Sequence, residues 1–122
     1  MTKKVMVLMG GFSAEREISL QSGAGIAEAL RRKGYEVTTH DLSDTRQLLA
    51  ELGRSKPDVV FNALHGNWGE DGTVPALLDL LQIPYTHSGM QASCVGMNKY
   101  LCRLIAEKAG LKTAYGRKLT AR

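Results

Sequence analysis

Two short stretches concentrate the residues able to do chemistry. One is Gly10-Gly11-Phe12-Ser13-Ala14-Glu15-Arg16-Glu17; the other is His65-Gly66-Asn67-Trp68-Gly69-Glu70-Asp71-Gly72. If Ser13 is the N-cap of a following helix, Glu15 and Glu17 fall in its first turn, where negative charge gains about 0.3–1 kcal/mol. That reading suffices for Glu17. Glu15 has a second one, because a carboxylate at the mouth of a cleft can pair with the ammonium of a substrate. His65 carries an imidazole that donates or accepts at neutral pH, or it simply hydrogen-bonds the loop backbone. Glu70 and Asp71 can ligate a metal, but adjacent carboxylates ahead of a helix are more often caps. Lys99 begins a basic stretch at a predicted helix start, where a lysine meets phosphate or is merely solvated. Cys94 and Cys102 read as packing residues, and Met6, Met9, Met90 and Met97 as core filler.

The elements that must position these residues follow from hydrophobic periodicity. Val5-Met6-Val7-Leu8-Met9 is a continuous apolar run, as expected of a strand buried on both faces. Gly10-Gly11 ends it. Ile18, Ser22, Ile26 and Leu30 then recur at helical spacing up to Gly34 as C-cap, and Gly23-Ala24-Gly25 inside that helix implies close approach to a sheet. Tyr35 to Leu42 reads as a second strand with Val37 in the core. Ser43 or Asp44 caps a short helix carrying Leu48, Leu49 and Leu52, closed by Gly53. Val59 to Leu64 is a third strand. After the His65 loop, Pro75 requires the helix bearing Leu77, Leu78 and Leu81 to be capped at Gly72 or Thr73, leaving Asp71 just outside. Ile83-Pro84-Tyr85 is a short strand. A last helix places Leu101, Leu104, Ile105 and Ala109 on one face and stops at Gly110, and Leu111 begins like a further strand.

This alternation predicts an α/β fold built on an open parallel sheet with right-handed crossovers. Such sheets bind ligands beyond the carboxyl ends of their strands, where the strand order reverses. The loops beginning at Gly10 and His65 both lie there.

Composition narrows the alternatives. The chain has 122 residues, 43% hydrophobic and 23% charged, enough for one packed domain or one domain and part of another. No apolar run approaches the roughly 18 residues of a membrane span, and Lys3 to Met9 is too short for a signal peptide. Two cysteines outside any CxxC read as reduced thiols of a cytoplasmic protein. Charge is uneven: residues 1–98 carry 9 Lys/Arg against 11 Asp/Glu, whereas residues 99–122 carry 7 basic residues and one acid, Glu107. A basic segment can meet nucleic acid or a phosphorylated small molecule, or be one solvated face. With only Tyr100 and Tyr115 as aromatics there, nucleic acid is the weakest of these readings. A dinucleotide fingerprint is excluded, since Phe12 and Ala14 stand where GxGxxG needs glycine.

Taken together, the motifs resemble a known family. Gly10 to Leu20, with Ser22-Gly23 behind, is similar to the opening signature of D-alanine–D-alanine ligases. Asn62-Ala63-Leu64-His65-Gly66 and Gly69-Glu70-Asp71-Gly72 resemble the second signature. Ile83-Pro84-Tyr85-Thr86, Ser88-Gly89, Ala92-Ser93 and Met97-Asn98-Lys99 continue the match in order. The resemblance implies a Rossmann-like pre-ATP-grasp domain over residues 1–87, with residues 88–122 beginning the ATP-grasp central domain. It also implies a ligase of peptidoglycan precursor synthesis. In that family ATP phosphorylates the carboxylate of one D-alanine, and the amine of a second attacks the acyl phosphate. By motif, Glu15 would hold the ammonium of the first D-alanine with His65 beside it, and Lys99 would reach the ATP phosphates. The Mg2+ ligands and the rest of the ATP site are expected beyond Arg122. The chain is accordingly read as an incomplete amino-terminal part, inactive alone and homodimeric when full length. The competing reading is a non-catalytic small-molecule-binding module that kept the fold. The sequence departs from the family pattern at Asn98 for an acid, at Pro75-Ala76 for Gln-Gly, and at His87 for a frequent glycine.

Overall fold

The computed structural model describes residues 1–121; Arg122, the last basic residue of the carboxyl-terminal segment, lies outside the described residues. In chain order the elements are β1 (Lys4–Gly10), α1 (Arg16–Arg32), β2 (Glu36–Leu42), α2 (Thr45–Ser55), β3 (Val59–Asn62), α3 (Thr73–Leu80), α4 (Met90–Met97) and α5 (Lys99–Lys108). The three strands form a parallel sheet in the order β2-β1-β3. Lys4 stands opposite Glu36 and Gly10 opposite Leu42 on one side of β1, and on the other Val5 pairs with Val59 and Leu8 with Asn62. The predicted fourth strand shrinks to a single bridge between Val60 and Tyr85. Pro84 has no N–H to extend a ladder, though its carbonyl accepts from Val60 N at 2.8 Å.

Central β1 is buried on both faces, as its continuous apolar run predicts. Met6 and Leu8 face one core with Leu42, Leu48, Leu52, Val60, Val74 and Leu78, under α2 and α3. Val7 and Met9 face the other with Ala27 and Ala63, under α1. The architecture is therefore a sheet with helices on both faces, the expected α/β class.

Several local expectations are corrected. Ser13 does not cap α1: Glu15 occupies the N-cap and the helix begins at Arg16, because the Ser13 hydroxyl is engaged in the preceding turn. Glu17 does lie in the first turn. The residues that α1 buries are Ser19, Gly23 and Ala27, and Ile18 is 56% exposed. The small side chains, not the large ones, face the sheet. Close approach explains this, since a Cβ on Gly23 would lie 2.6 Å from Met9 Cβ. Replacing Gly23 with alanine is therefore expected to destabilise the fold by about 1–3 kcal/mol, the usual cost of overpacking. That would outweigh alanine's helix-propensity gain of about 1 kcal/mol. Urea unfolding measures it, and a stabilised variant would refute the close-approach account. Gly25, with nothing within 4 Å of its Cβ position, is the control.

Asp44, the alternative to Ser43, caps α2 by accepting from Arg46 N at 2.8 Å. That helix runs through Gly53 and ends instead at Lys56, which takes the left-handed turn at φ 43°. Val37 is only half-buried on edge strand β2, where Leu42 is the buried residue. Helix α4 has no counterpart in the expected elements, which place only one helix, that of Leu101 to Ala109, after the Ile83-Pro84-Tyr85 strand. Helices α4 and α5 pack on each other, and neither buries a residue. Met90 and Met97 are thus 48% and 40% exposed, both cysteines are exposed free thiols, and Leu101, Leu104 and Ile105 lie open. Only Met6 and Met9 act as core methionines. From Leu111 to residue 121 the chain forms no strand.

Candidate functional site

The strand order reverses at β1, whose chain neighbour β2 lies on one side and β3 on the other, so a crevice opens beyond the carboxyl ends of β1 and β3. The loop leaving β1 starts with two left-handed glycines, Gly10 at φ 87° and Gly11 at φ 85°. Arg16 fastens its far end, donating to both carboxylate oxygens of Asp41 at 2.7 and 2.6 Å. The hydrogen bond and charge of Asp41 raise the guanidinium's pKa above its already high ordinary value. Both partners keep a third to a half of their side-chain surface in solvent, so the pair orients the loop more than it stabilises the fold. Beneath the loop, fully buried Ser19 accepts from Gly10 N at 3.0 Å and donates to the Ala63 carbonyl at 2.6 Å.

The loop leaving β3 is organised by Asn62, buried at the end of the strand. Its side-chain amide donates to the Gly69 carbonyl at 2.8 Å, and its side-chain oxygen accepts from Leu64 N. The two carboxylates of this loop are backbone acceptors. Glu70 accepts from Gly66 N at 2.6 Å, and Asp71 accepts from Trp68 N at 2.9 Å and Thr73 N at 3.0 Å. Loop backbone groups therefore occupy both, and of the two only Asp71 reaches the first residue of α3. Gly72, at φ 95°, is the N-cap of α3, with Asp71 just outside it. Partial burial alone would raise the Asp71 pKa, but the Trp68 and Thr73 N–H groups overcome this and hold it below the ordinary carboxylate range. A pKa lowered on folding means stability that is complete above the unfolded-state value and lost as pH falls through the folded-state value. Asp71→Asn is thus expected to be less stable than the parent at neutral pH. The gap should close as pH drops below about 4, in urea titrations run at stepped pH. A constant gap would sink this account.

The two loops meet at the Ser13 hydroxyl, which donates to the His65 carbonyl at 2.8 Å and accepts from Glu15 N at 3.1 Å. Gly66, left-handed at φ 69°, fits against this corner. A Cβ there would lie 2.9 Å from Ser13 Cβ and 3.3 Å from Glu15 Oε2. Phe12 and Trp68 add an edge-to-face contact at 5.0 Å between ring centres. The backbones of Glu15 and His65, distant in sequence, are therefore bridged by one hydroxyl. Glu15 is exposed, and among the described residues nothing donates to its carboxylate. The His65 Nε2 atom is buried with no partner among the described residues.

His65 also lines a cleft of about 680 Å³ floored by Phe61, Ala63 and Leu64 and walled by α1 and α4. His87 lines it too. At φ 78° it takes a conformation that glycine adopts without strain, and its ring packs edge-on against Phe61 at 5.7 Å. Glu15 is not part of this wall; it stands at the rim, beside Gly66. Lys99 is not brought to this corner. It opens α5 in a separate hollow with Asp71, Cys94, Met97 and Asn98, and Met97 alone lines both. Asn98 caps α5 by accepting from Leu101 N at 3.0 Å, the role an aspartate would fill. Among the described residues, no three His, Cys, Asp or Glu side chains gather to hold a metal ion, and no helix is long and apolar enough to cross a membrane.

Sequence reasoning missed Ser19 and Asn62. Each had a signal: a polar residue in line with Gly23 and Ala27, and a polar residue closing the apolar run Val59-Val60-Phe61.

Comparison with known proteins identifies the family and the fold. A family model described as D-ala D-ala ligase N-terminus matches residues 4–56 and 43–88. The chain is 54% identical over 112 residues to the D-alanine--D-alanine ligase of Parvibaculum lavamentivorans, covering 92% of this chain and 36% of that protein. It is 50% identical over 115 residues to the ligase of Rhodospirillum rubrum, covering 93% and 38%. In structure it matches the D-alanine--D-alanine ligase of Bacillus anthracis complexed with ATP, at a TM-score of 0.84 and 33% identity, over 92% of this chain and 38% of that one. The chain thus spans less than two-fifths of the length of these relatives. The matched residues take in both loops of the crevice and the strands that aim them, and the chain belongs to the D-alanine–D-alanine ligase N-terminal family.

Proposed function

We propose that this chain supplies the first-substrate corner of an ATP-dependent D-alanine–D-alanine ligase, with Glu15 and His65 holding one D-alanine. The observation that carries this reading is one corner, bridged by the Ser13 hydroxyl at the crevice of an open parallel sheet, that joins the backbone of a residue whose carboxylate has no donor to that of a residue whose buried imidazole nitrogen has no partner among the described residues. An amino acid supplies the complements of both. Its ammonium pairs with Glu15, a charge-assisted contact stronger than a neutral one. His65 Nε2 serves as the polar partner that fixes its orientation. Holding the substrate by these groups leaves one face of its carboxylate free to react, a gain of positioning rather than of acid–base catalysis.

In the ligase reaction a carboxylate oxygen attacks the terminal phosphorus of ATP and ADP leaves. The nitrogen of a second D-alanine then attacks the acyl carbon and phosphate leaves. The described residues fit only a fraction of that machinery. Lys99, at the exposed start of α5, is a single cation for a phosphate, and no carboxylate cluster suits Mg2+. We read residues 1–87 as the substrate-side unit and residues 88–122 as the beginning of the ATP-binding domain. Among the described residues α5 packs against α4 alone of the elements, which supports setting α5 apart, whereas α4 also packs on α3. Catalysis, homodimer formation and a cytoplasmic setting belong to the ligase that carries this corner.

The test is a titration of the isotopically labelled 122-residue chain with D-alanine and, separately, L-alanine. Amide shifts centred on Glu15, His65 and Gly66 and stronger for the D-enantiomer are expected, with no ADP released when ATP and Mg2+ are added. No response at that corner would reject the substrate assignment. D-Alanine-dependent ADP release would reject the view that the chain alone is inactive.

A further inference from the structure

We propose that Ser13 is a positioning residue that sets the separation and orientation of Glu15 and His65, and through them the discrimination between D- and L-amino acids. This deepens the reading of the corner as an amino-acid site and rests on it. A hydroxyl that accepts from the N–H two residues ahead is ordinary turn chemistry, and by itself it would make Ser13 a loop stabiliser. The second bond of the same hydroxyl is not local. It reaches the His65 carbonyl, across to the loop that leaves β3. One oxygen atom thus joins the backbone of both candidate substrate groups, at 3.1 Å from Glu15 N and 2.8 Å from His65 O.

The surroundings make that link short and rigid. Gly66 follows His65 in a left-handed conformation, and the place of its missing side chain is filled by Ser13 and by Oε2 of Glu15. The Glu70 carboxylate holds the same glycine from the other side through Gly66 N. A shift of the His65 loop therefore transmits to Glu15 through Ser13 with no slack. Enantiomer choice needs the ammonium, the carboxylate and the side chain of the ligand fixed at once, so it depends on Glu15 and His65 keeping their places relative to each other and to the cleft wall that receives the side chain. Affinity for a charged amine alone needs only one of them.

The experiment compares the 122-residue chain with Ser13→Ala by two readouts. The first is the ratio of D-alanine to L-alanine affinity. The variant is expected to lose about tenfold in D-alanine affinity, the order of one lost hydrogen bond, while L-alanine changes less than twofold and the ratio falls. A fold-stabilising turn would instead leave the ratio intact and lower the melting temperature. A preserved ratio overturns the proposal. The second readout needs no ligand: Ser13→Ala should speed hydrogen exchange at the Glu15 amide and shift the Gly66 amide resonance. If the parent binds neither enantiomer, the amino-acid reading and the discrimination role fall together. The exchange data then still decide the link itself, and unchanged exchange at Glu15 with an unmoved Gly66 would remove it.

Discussion

Replacing Ser19 with alanine is expected to cost about 2–4 kcal/mol of folding stability, a large share for a domain held by about 5–15 kcal/mol. The side chain is wholly buried, and its hydroxyl satisfies two backbone groups at once, Gly10 N and the Ala63 carbonyl. Alanine fills almost the same space and fits the helix better, so neither a cavity nor helix propensity carries the loss. What remains is one donor and one acceptor buried without partners, at about 1–3 kcal/mol each before relaxation. Urea unfolding of parent and variant gives the difference. A change below about 1 kcal/mol would mean that water reaches one of these groups and that Ser19 is no clasp. The consequence also reaches the site, because Gly10 begins one loop of the crevice and Ala63 leads into the other.

How much of this was legible in the sequence follows from the range of the forces involved. The central strand, both flanking cores and the two chemically dense loops were readable, because burial on both faces forces a continuous apolar run and a crevice follows from strand order. The face that α1 turns to the sheet was misread from Ile18, since a hydrophobic period assumes that large side chains seek the interior. Here the approach of backbone to Met9 matters more, and the small residues Ser19, Gly23 and Ala27 win the interior. Ser13 was read as a cap for the same reason of locality: the motif shows the next few residues, whereas the hydroxyl's second partner lies at His65. Asn62 was missed because its amide satisfies a loop carbonyl that periodicity does not register. In α5 the apolar stripe is legible from spacing, but a stripe says what a helix can bury and not whether a neighbour covers it; α4 carries no such signal, and its methionines, expected in the core, are exposed. His87 shows the opposite limit. Its departure from a frequent glycine was visible in the sequence, whereas its left-handed backbone and its contact with Phe61 needed coordinates.

Glu15→Gln is expected to weaken D-alanine binding by about tenfold while leaving stability within about 1 kcal/mol of the parent. The two explanations available for this residue make opposite forecasts. As a charge near the start of α1, Glu15 would contribute about 0.3–1 kcal/mol to the fold and nothing to a ligand. As the partner of a substrate ammonium, it would contribute the excess of a charge-assisted contact over a neutral one, about 1–1.5 kcal/mol in binding. Its side chain is exposed at the rim of the crevice, with no donor among the described residues, so its removal leaves no buried group stranded. Glutamine keeps the length and the Gly66 contact but replaces one oxygen with a donor that repels an ammonium. Glu17→Gln is the matched control, since Glu17 lies in the first turn of the same helix and away from Gly66. Added salt should weaken D-alanine binding to the parent more than to Glu15→Gln, because it screens a charge that the variant lacks. Equal loss in both variants would make the effect a general one of helix charge. Unchanged binding in Glu15→Gln would place the amine elsewhere, and His65 would then be the only side chain of the pair left to hold an amino acid.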